Sequence, residues 1–564
     1  MISRAEFERA RALIHRSGVA ETIERKLRAG RGGRPRALTC EVLLTALLLT
    51  HRRTHSLMLA EVHRTLTAEL PRRLQCDLGV RRSDGSALSV RQVRYLMGAI
   101  AGAYAYTHQP ALDEHEQTRR RNEFQALIDD LLEASLPTGH ARTGRYAIDA
   151  TAIDSAARGK RSGKDDPRAL GSANVDEATT TSEFRRKVNR EATERASHDP
   201  DAEWGYRTRT FDNRSSMCFG YQMLALTRVG ATGQSTPEPL VTERIVVIPA
   251  NATQPPSVIA AIDRLRELAH PVVEVIADRG FTYATPENWA AQLRTRSIAQ
   301  VLDLHAHDHG VTDYKGVKMI AGWPHCPAMP TELDDIRRPA NLSPGARPRK
   351  QAPEKVAAYE RRVAQIAEFK AKIAARELYA FARVSRGRTV TETGKGGIER
   401  FACPAQAGKI KCPNCPLSMA IPGDIPTITD PPDKETGAAP PACHQRTISV
   451  PPSVSPKLRQ QHRWGSDEWI ASYARRSRVE SSFGLLKSPK HGGVKRGWTQ
   501  QVGIVKTTLL LAIAVASTNL HQLLLWSRET GNTCDPLTRM SVPEAAFEEI
   551  GPAEGAGGAA SPPA

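Results

Sequence analysis

Two aspartates lie in predicted strands, one within a strand and the other at a strand end. Asp149 lies within the β-prone run of residues 145–151, in an otherwise apolar setting where a carboxylate is costly unless paired or bound to a metal. Asp278 ends the apolar run of residues 272–277, so its side chain is expected at the carboxyl edge of the sheet, where α/β proteins place ligands. Together the two acids would hold a hard cation such as Mg²⁺, although each alone fits a loop-capping role equally well.

Four polar residues share one face of a predicted late helix. They are Tyr473, Arg476, Glu480 and Lys487. At about 100° per residue, all four fall within a stripe about 60° wide. An apolar stripe of Val479, Phe483 and Leu486 runs beside them and indicates a face packed on a core. A solvated face with weak ion pairs would explain a Glu with two cations, but it explains less well a Tyr aligned with them beside an apolar seam.

The spacing of these four residues, Y-x2-R-x3-E-x6-K, resembles the Tyr-Arg-Glu-Lys signature of bacterial insertion-sequence transposases with a DDE catalytic core. The segments Ile-Asp-Ala-Thr at 148–151 and Ala-Asp-Arg-Gly-Phe at 277–281 are similar to that family's first and second acidic motifs. The resemblance covers about residues 146–524, interrupted by a long insertion between the second acid and the glutamate. It implies an RNase H-like fold.

The resemblance also implies a mechanism. Its catalytic triad would be Asp149, Asp278 and Glu480. These carboxylates would hold two Mg²⁺ ions, for which Mn²⁺ would substitute, to activate water or a 3′-hydroxyl and to stabilise the leaving oxygen. Arg476 and Lys487 would bind phosphate near the scissile bond, and Tyr473 would add a hydrogen bond. The same site would cut transposon ends and join them to target DNA, with a homodimer holding two ends together.

Two other functions use the same residues. A transposase-derived DNA-binding protein would have lost strand transfer, but the intact acids favour an active enzyme. A metal-dependent nuclease would cut without joining. Asp154 is a rival for the first metal position, although its offset of five residues from Asp149 would place it on the opposite strand face. Arg475 and Arg478 point away from the polar stripe, and Tyr221 is expected to pack.

The composition points to a polyanionic partner. The chain has 564 residues, room for roughly three or four domains, and a net charge of +18. Because counterion release from phosphates drives binding without any sequence code, double-stranded DNA is the predicted partner. The N-terminus lacks the layout of a secretory signal, and nine cysteines in so long a chain do not suggest a disulfide framework. A reducing cytoplasm, in association with the nucleoid, is the expected location.

Residues 1–135 are predicted to form an all-helical, basic DNA-binding domain. Apolar residues recur at helical spacing in segments 38–49, 57–70 and 90–103. The last of these helices follows Ser89 and carries side chains typical of a major-groove reader, namely Arg91, Gln92 and Arg94. An ordinary surface helix is the alternative.

A basic arm precedes the first of these helices. Glycines and one proline accompany Arg31, Arg34 and Arg36, a composition that suits a narrow minor groove. A solvated linker is the alternative interpretation. If the arm binds DNA, replacing Arg34 and Arg36 by Ala should flatten the salt dependence of binding.

The remaining chain is predicted to be an α/β protein with a mixed sheet. Strands are expected at 145–151, 219–227, 240–248, 272–277 and 300–304, with helices at 255–268 and 286–293. The RNase H-like core would therefore comprise residues 136–304 and, after an insertion domain at 305–465, the helical residues 466–528. One basic helix is predicted near residues 353–378. The Gly- and Ala-rich tail, 529–564, is predicted to be disordered.

The insertion contains a cysteine group that suggests a structural Zn²⁺ site. Its members are Cys403, Cys412, Cys415 and Cys443. The Cys-Pro-Asn-Cys knuckle supplies half of such a site, but the overall spacing is looser than in a standard ribbon, so free thiols are the equal alternative. The alternating histidines of segment 303–309 are interpreted as polar loop residues in preference to metal ligands. Trp289 and Trp323 are expected to pack, although either would suit stacking on a flipped base.

One segment, residues 507–526, is long and apolar enough to span a membrane. It also contains Asn519, His521 and Gln522, which would be costly in lipid. A buried core helix, hydrophobic on all sides, is therefore predicted, with no membrane partner.

Overall fold

The computed structural model describes residues 1–29, 36–137, 139–159, 197–207, 217–234, 237–348, 353–385, 397–432 and 439–531. Arg31 and Arg34 of the predicted arm lie outside these residues, as does nearly all of the tail predicted to be disordered.

The N-terminal region is helical, as its apolar periodicity predicts. Its helices are α1 (Arg4–Ser17), α2 (Val19–Arg28), α3 (Cys40–Thr54), α4 (Leu59–Arg64), α5 (Arg72–Asp77), α6 (Val90–Ala103) and α7 (Glu114–Glu133). Capping residues set their boundaries. Ser3 accepts a hydrogen bond from the Glu6 N–H at 3.1 Å, and Asp113 accepts one from the Glu116 N–H at 2.7 Å. Gly18, with φ of 67°, ends α1 and allows α2 to start at once.

A six-stranded mixed sheet follows. Its strands are β1 (Arg145–Asp154), β2 (Glu203–Tyr206), β3 (Met217–Arg228), β4 (Thr242–Pro249), β5 (Glu274–Ala277) and β6 (Ala299–Leu302), with helices α8 (Gln254–Glu267) and α9 (Ala290–Thr295) between the later strands. The strand order is β2-β3-β1-β5-β6, and β4 also pairs with β3. β3 runs antiparallel to its partners, whereas β1, β5 and β6 are mutually parallel neighbours. The predicted strand and helix order is confirmed, and β2 is an added edge strand.

Alternate residues of the sheet enter two different cores, as the pleat requires. Tyr146 and Ile148 of β1 pack with α8 and α9 on one face. Ala147 packs on the opposite face, in a cluster that also contains the buried residues of α1, α3 and α7. The N-terminal helices therefore share a continuous core with the sheet. Asp149 follows the Ala147 pattern and belongs to this second face.

The insertion contains two small antiparallel sheets. Strands β7 (Thr312–Tyr314), β8 (Val317–Ile320) and β9 (Trp323–His325) form the first, and β10 (Ala382–Ser385), β11 (Glu399–Ala402) and β12 (Thr447–Val450) form the second. Helix α10 (Pro353–Tyr379) connects them, close to the predicted 353–378 helix. Two one-turn helices, α11 (Pro416–Met419) and α12 (Pro441–His444), lie near the cysteines.

The late helical region differs from its prediction. The segment expected to be one continuous helix is divided into α13 (Asp467–Ala474) and α14 (Ser477–Lys487). Around the break, the N–H groups of Arg476 and Val479 bond to carbonyls three residues earlier, which is the pattern of a tight turn. The assumption of a uniform 100° per residue from Tyr473 to Lys487 was therefore wrong. The apolar stripe on α14 is confirmed, because Val479, Phe483 and Leu486 are buried.

The last helix, α15 (Ile504–Thr530), is the long apolar segment. It has the length and hydropathy of a membrane span, but 72% of its most apolar window is buried within the protein. It packs against α3, α7 and β4. Asn519 exchanges two hydrogen bonds of 2.9 Å with the Thr242 backbone, which satisfies its amide inside the core. These contacts are compatible with a core helix of a soluble protein.

Candidate functional site

Three aspartates form a row at the carboxyl end of the parallel strands. The last register pairs are Ile148 with Ala277 and Ala277 with Leu302. An aspartate follows each of these residues in the chain: Asp149 follows Ile148, Asp278 follows Ala277, and Asp303 follows Leu302. Because neighbouring strands lie about 4.8 Å apart, the three residues follow one another across β1, β5 and β6. The sequence predicted the first two members of this row, but Asp303 was considered only as part of a histidine-rich loop.

Helix α14 brings Glu480 to this row. The helix packs against β1 and β3 through its buried apolar side, and Glu480, three residues before the buried Phe483, is exposed. Arg476, in the turn just before α14, connects the acids. Its Nη1 donates to Asp149 Oδ2 at 3.1 Å, and its Nη2 donates to Glu480 Oε1. The structure thus places the predicted phosphate-binding arginine between two of the three predicted catalytic carboxylates.

Asp149 is electrostatically strained in this position. Its side chain is 20% exposed. Burial raises its pKa to about 6, with a further contribution from the negative charge of Asp278. The Ala150 N–H, at 2.7 Å from Oδ1, and the Arg476 guanidinium oppose this rise. A buried carboxylate beside a second acid is a site that a cation would stabilise.

Tyr473 lies at the end of α13 and borders the acids through its ring. The ring stacks on Trp469 with centroids 4.7 Å apart and an interplanar angle of 9°. The guanidinium of Arg476 lies 5.7 Å from the Tyr473 centroid, and that of Arg338 lies 5.8 Å from it. Burial raises the pKa of the Tyr473 phenol to about 12, so its hydroxyl remains a hydrogen-bond donor at neutral pH.

Lys487 does not join the acids. The charges that act on its ammonium are those of Asp154 and Arg207, while burial lowers its pKa. Asp154 is five residues beyond Asp149 on β1, about 16 Å along a strand. Both Asp154 oxygens accept from Arg207 Nη1 at 3.0 Å. The structure therefore separates Lys487 from the predicted stripe, and Asp154, the rival metal ligand, is engaged in an ion pair.

Asp303 is fully occupied by protein donors. Its Oδ2 accepts from Arg338 at 2.6 and 3.1 Å, and its Oδ1 accepts from the Trp464 indole at 3.0 Å. Arg338 comes from the insertion, so this contact attaches the insertion to the carboxyl edge of the sheet. An aspartate directly after a buried strand is a signal that could have identified this residue from sequence, as it did for Asp278.

Arg475, left out of the predicted site, fixes the turn between α13 and α14. Its guanidinium donates to Glu274 Oε2 at 2.7 Å and to the Gly230 carbonyl at 2.8 Å. Ser472 also donates to Glu274, at 3.1 Å. These bonds hold the turn against β5 and thereby set the position of the adjacent Arg476. Arg478 likewise points elsewhere and donates to the Glu238 carbonyl at 2.6 Å.

The predicted DNA-reading helix has an exposed basic face. Arg91 and Arg94 of α6 are exposed, and Tyr95, which directly follows Arg94, is 62% exposed. Gln92 instead serves the helix itself, because its side chain accepts from the Ser89 N–H at 2.8 Å. In the arm, Arg36 is paired with Glu24 at 2.5 Å, so its charge is partly neutralised within the protein.

The cysteine group gathers in the insertion. Cys412 and Cys415 lie in one buried cluster with Cys326, and Cys403 packs against it. Burial, and then the neighbouring Cys403 and Cys443, raise the pKa of Cys326 to about 12. Cys326 was not predicted as a member, because it lies far from the others in the sequence. Within the described residues, no three Cys, His, Asp or Glu side chains are already arranged to hold a metal, so the zinc site remains a prediction.

The remaining sequence candidates pack. Trp289 is 2% exposed and lies 4.6 Å from Phe281, and Trp323 is 6% exposed and donates to the Phe381 carbonyl at 2.8 Å. Neither ring is available for a flipped base. Tyr221 is buried and donates to Asp199 Oδ1 at 2.7 Å, which confirms its packing role.

Comparison of the chain with protein families, with curated proteins and with solved structures finds no match.

Proposed function

We propose that this chain is the transposase of a bacterial insertion sequence. It would bind the terminal inverted repeats of the element and catalyse Mg²⁺-dependent strand cleavage and strand transfer through Asp149, Asp278 and Glu480. The observation that carries this proposal is the meeting of the three acids: two lie side by side on parallel strands, and Arg476 connects the third to the first. The order of strands and helices along the chain, which matches the order predicted from the sequence, and the mixed sheet are compatible with the RNase H-like fold that the resemblance implies.

The residue types present fit a divalent cation, although among the described residues no three carboxylates are already arranged to hold one. Carboxylate oxygens are the preferred ligands of Mg²⁺. Burial, and then the charge of Asp278, raise the pKa of Asp149, so a bound cation would stabilise its ionised form. Asp149, Asp278 and Glu480 would hold the ions, and Arg476 would have to release at least one carboxylate for them. When bound, two ions would supply activation of the attacking oxygen and stabilisation of the leaving oxygen.

The protein's own residues would position the DNA. Arg476, once released from a carboxylate, presents a planar donor pair that matches a phosphate. The Tyr473 hydroxyl, protonated at neutral pH, donates a hydrogen bond. The turn held by Arg475 keeps both side chains beside the acids. The net charge of +18 and the exposed Arg91 and Arg94 would provide binding outside the site, and a homodimer would hold two ends together.

The decisive experiment is a Mg²⁺-dependent cleavage and strand-transfer assay on DNA carrying the element's flanking ends. Glu480→Gln keeps the shape of the side chain and removes its charge, and we expect it to bind DNA while losing both reactions. Glu468→Gln, an exposed glutamate on the neighbouring helix α13, is the matched control and should behave as wild type.

The outcomes separate the alternatives. Cleavage without joining by the wild type would identify a metal-dependent nuclease. Binding without either reaction by the wild type would identify a transposase-derived DNA-binding protein that is catalytically inactive. Equal activity of the wild type and Glu480→Gln would remove Glu480 from the mechanism.

A further inference from the structure

Five cysteines of the insertion lie near one another, and four of them share a sequence feature. Cys326, Cys403, Cys412 and Cys415 are each followed directly by proline, whereas Cys443 is followed by histidine. Because proline fixes φ and has no N–H, the chain turns after each cysteine, and the N–H groups of the next residues can reach the sulfur. The four Cys-Pro turns lie at the end of β9, at the end of β11 and in the loop before α11.

Hydrogen-bond donors already face the sulfurs at these turns. The N–H two residues after Cys326 is bonded to its sulfur, and the N–H groups two and three residues after Cys403 are bonded to that sulfur. The side-chain amide of Gln406 donates to Cys415 Sγ at 3.0 Å. A neutral thiol is a weak acceptor, whereas the thiolate, the form that binds metals, is stabilised by such donors. The donors are therefore placed for sulfurs that carry negative charge.

The same four cysteines share a buried apolar cluster. Cys326 is 5% exposed, Cys412 and Cys415 are each 8% exposed, and Cys403 packs against them. Among the described residues, Cys443 acts electrostatically on Cys326 but is not a member of this cluster. Burial, opposed by the N–H donors, raises the pKa of both Cys326 and Cys403, so a cation is needed to hold their sulfurs as thiolates.

The cluster connects parts of the insertion that are distant in the sequence. The Cys326 N–H donates to the Tyr379 carbonyl at the end of α10, at 2.8 Å, and the Cys415 N–H donates to the Cys412 carbonyl, also at 2.8 Å. No three of the described sulfurs are already arranged around a common point. A bound metal would therefore draw the ends of β9 and β11 and the loop before α11 towards one ion.

We propose that Cys326, Cys403, Cys412 and Cys415 bind one Zn²⁺ as four thiolates. Four sulfur ligands favour a tetrahedral ion and leave no open position, so the site is structural. Binding forms four Zn–S bonds and releases the four thiol protons to solvent. The ligand set differs from the one predicted from the sequence, because Cys326 takes the place of Cys443. This inference goes beyond the proposed function and does not depend on it.

Metal content tests the ligand set. The full chain, purified in reductant and incubated with ZnCl₂ before desalting, should retain one Zn²⁺ per chain by inductively coupled plasma mass spectrometry. Cys326→Ser should retain less than about a tenth of that amount, whereas Cys443→Ser should retain all of it. Cys76→Ser, which changes an exposed cysteine of α5, is the matched control. A wild type without zinc, or a loss in Cys443→Ser equal to that in Cys326→Ser, would overturn the inference.

Cobalt reports the ligands directly. Co²⁺ held by four thiolates has the intense visible absorption of a tetrahedral ion together with sulfur-to-cobalt charge transfer, and one equivalent of Zn²⁺ should abolish both. The wild type and Cys443→Ser should give the same Co²⁺ spectrum. The pale spectrum of octahedral Co²⁺ in the wild type would identify the cysteines as buried free thiols and would contradict the proposal.

A variant outside the ligand set tests the site without changing a cysteine. Gln406→Ala removes the donor to Cys415 and should weaken Zn²⁺ binding by about tenfold, measured in competition with a chromophoric chelator. Gln445→Ala, which changes another exposed glutamine of the insertion, is the control and should bind as the wild type does. Unchanged affinity in Gln406→Ala would refute the assignment of Cys415 as a thiolate ligand.

Discussion

At the scale of single residues, Asp149 carries a charge that the folded protein disfavours. Its pKa of about 6 lies above the usual value for aspartate, so the ionised form costs the folded state free energy. The sign follows from proton binding: between pH 4 and 6 the folded state binds more protons than the unfolded state, and stability therefore falls as pH rises through this window. Above about pH 6 the full cost is present.

Asp149→Asn should accordingly stabilise the metal-free protein. At pH 7.5 we expect its free energy of unfolding to rise by roughly 2 kcal/mol, and at pH 4 the gain should vanish, because the wild-type carboxyl is then neutral. Urea unfolding in EDTA at both pH values measures the difference. Asp154→Asn, on the same strand, loses an ion pair with Arg207 and should be destabilised instead. A gain of equal size at both pH values would refute the electrostatic explanation.

If Asp149 is a metal ligand, Mg²⁺ binding should also stabilise the folded protein. Mg²⁺ should raise the melting temperature of the wild type, since it binds the folded state alone, and should have a smaller effect on Asp149→Asn. Differential scanning fluorimetry across a Mg²⁺ titration measures both. Glu468→Gln should respond as the wild type does, and equal shifts in all three proteins would exclude Asp149 as a ligand.

Residue types and spacing predicted Asp149, Asp278 and Glu480. The structure places the first two on adjacent parallel strands, and Arg476 connects Asp149 to Glu480. They did not predict the role of Asp303 or the presence of Cys326 among the other cysteines. Each of these depends on a contact between distant parts of the chain, Asp303 with Arg338 of the insertion and Cys326 with Cys403. Local patterns contain no information about such pairs. For Lys487 the prediction failed in the opposite way. Its spacing matches the signature, but the charges acting on it are those of Asp154 and Arg207, and not those of Asp149 and Glu480.

At the scale of elements, the turn between α13 and α14 decides where the site residues point. Apolar periodicity correctly predicted helix before and after this turn. It did not predict the turn itself, because no Pro or Gly marks the end of α13. The turn is instead stabilised from outside, by Arg475 on Glu274 of β5 and on the Gly230 carbonyl. Tertiary contacts of this kind override local propensity.

Arg475→Ala should therefore destabilise the protein by about 2 kcal/mol, because it removes the closer of two cations paired with the buried Glu274 and leaves the longer pair with Arg145, at 3.6 Å. Cleavage should fall further than DNA binding, since the turn positions Arg476 and not the exposed basic surface. Arg475→Lys, which keeps the charge and loses the planar donor pair, should be intermediate. The exposed Arg496→Ala is the control for stability and should change it by less than about 0.5 kcal/mol.

At the scale of the whole molecule, the predicted N-terminal domain packs directly against the rest of the chain. Its helices share one apolar cluster with the sheet and with α15. His51 of α3 contacts the Gly492 carbonyl at 2.8 Å, just after the helix that carries Glu480. Next to it, a side chain at Gly493, where φ is 64°, would lie 2.1 Å from the His55 carbonyl oxygen. Composition distinguished the helical and mixed regions but could not show that they were packed together.

A fragment of residues 136–564 should consequently fail to fold cooperatively. Removing α1 to α7 would expose the apolar residues of α15 that face α3 and α7, and their burial supplies most of the stability of such a helix. Circular dichroism and thermal melting of the purified fragment test this. A chain ending at Gly531 retains every described residue and should melt like the full chain. A sharp transition of the fragment at the melting temperature of the full chain would show that residues 136–564 fold without the N-terminal helices.

The position of Arg476 has a consequence for the order of events. A guanidinium that neutralises Asp149 and Glu480 occupies carboxylates that a cation would need, and the same guanidinium can bind a phosphate. DNA that draws Arg476 away would raise the affinity of the acids for Mg²⁺. By thermodynamic reciprocity Mg²⁺ would raise the affinity for DNA by the same factor. On the proposed function, the arginine would act as an internal counter-ion in the absence of DNA and would delay assembly of the reactive state until a strand is in place.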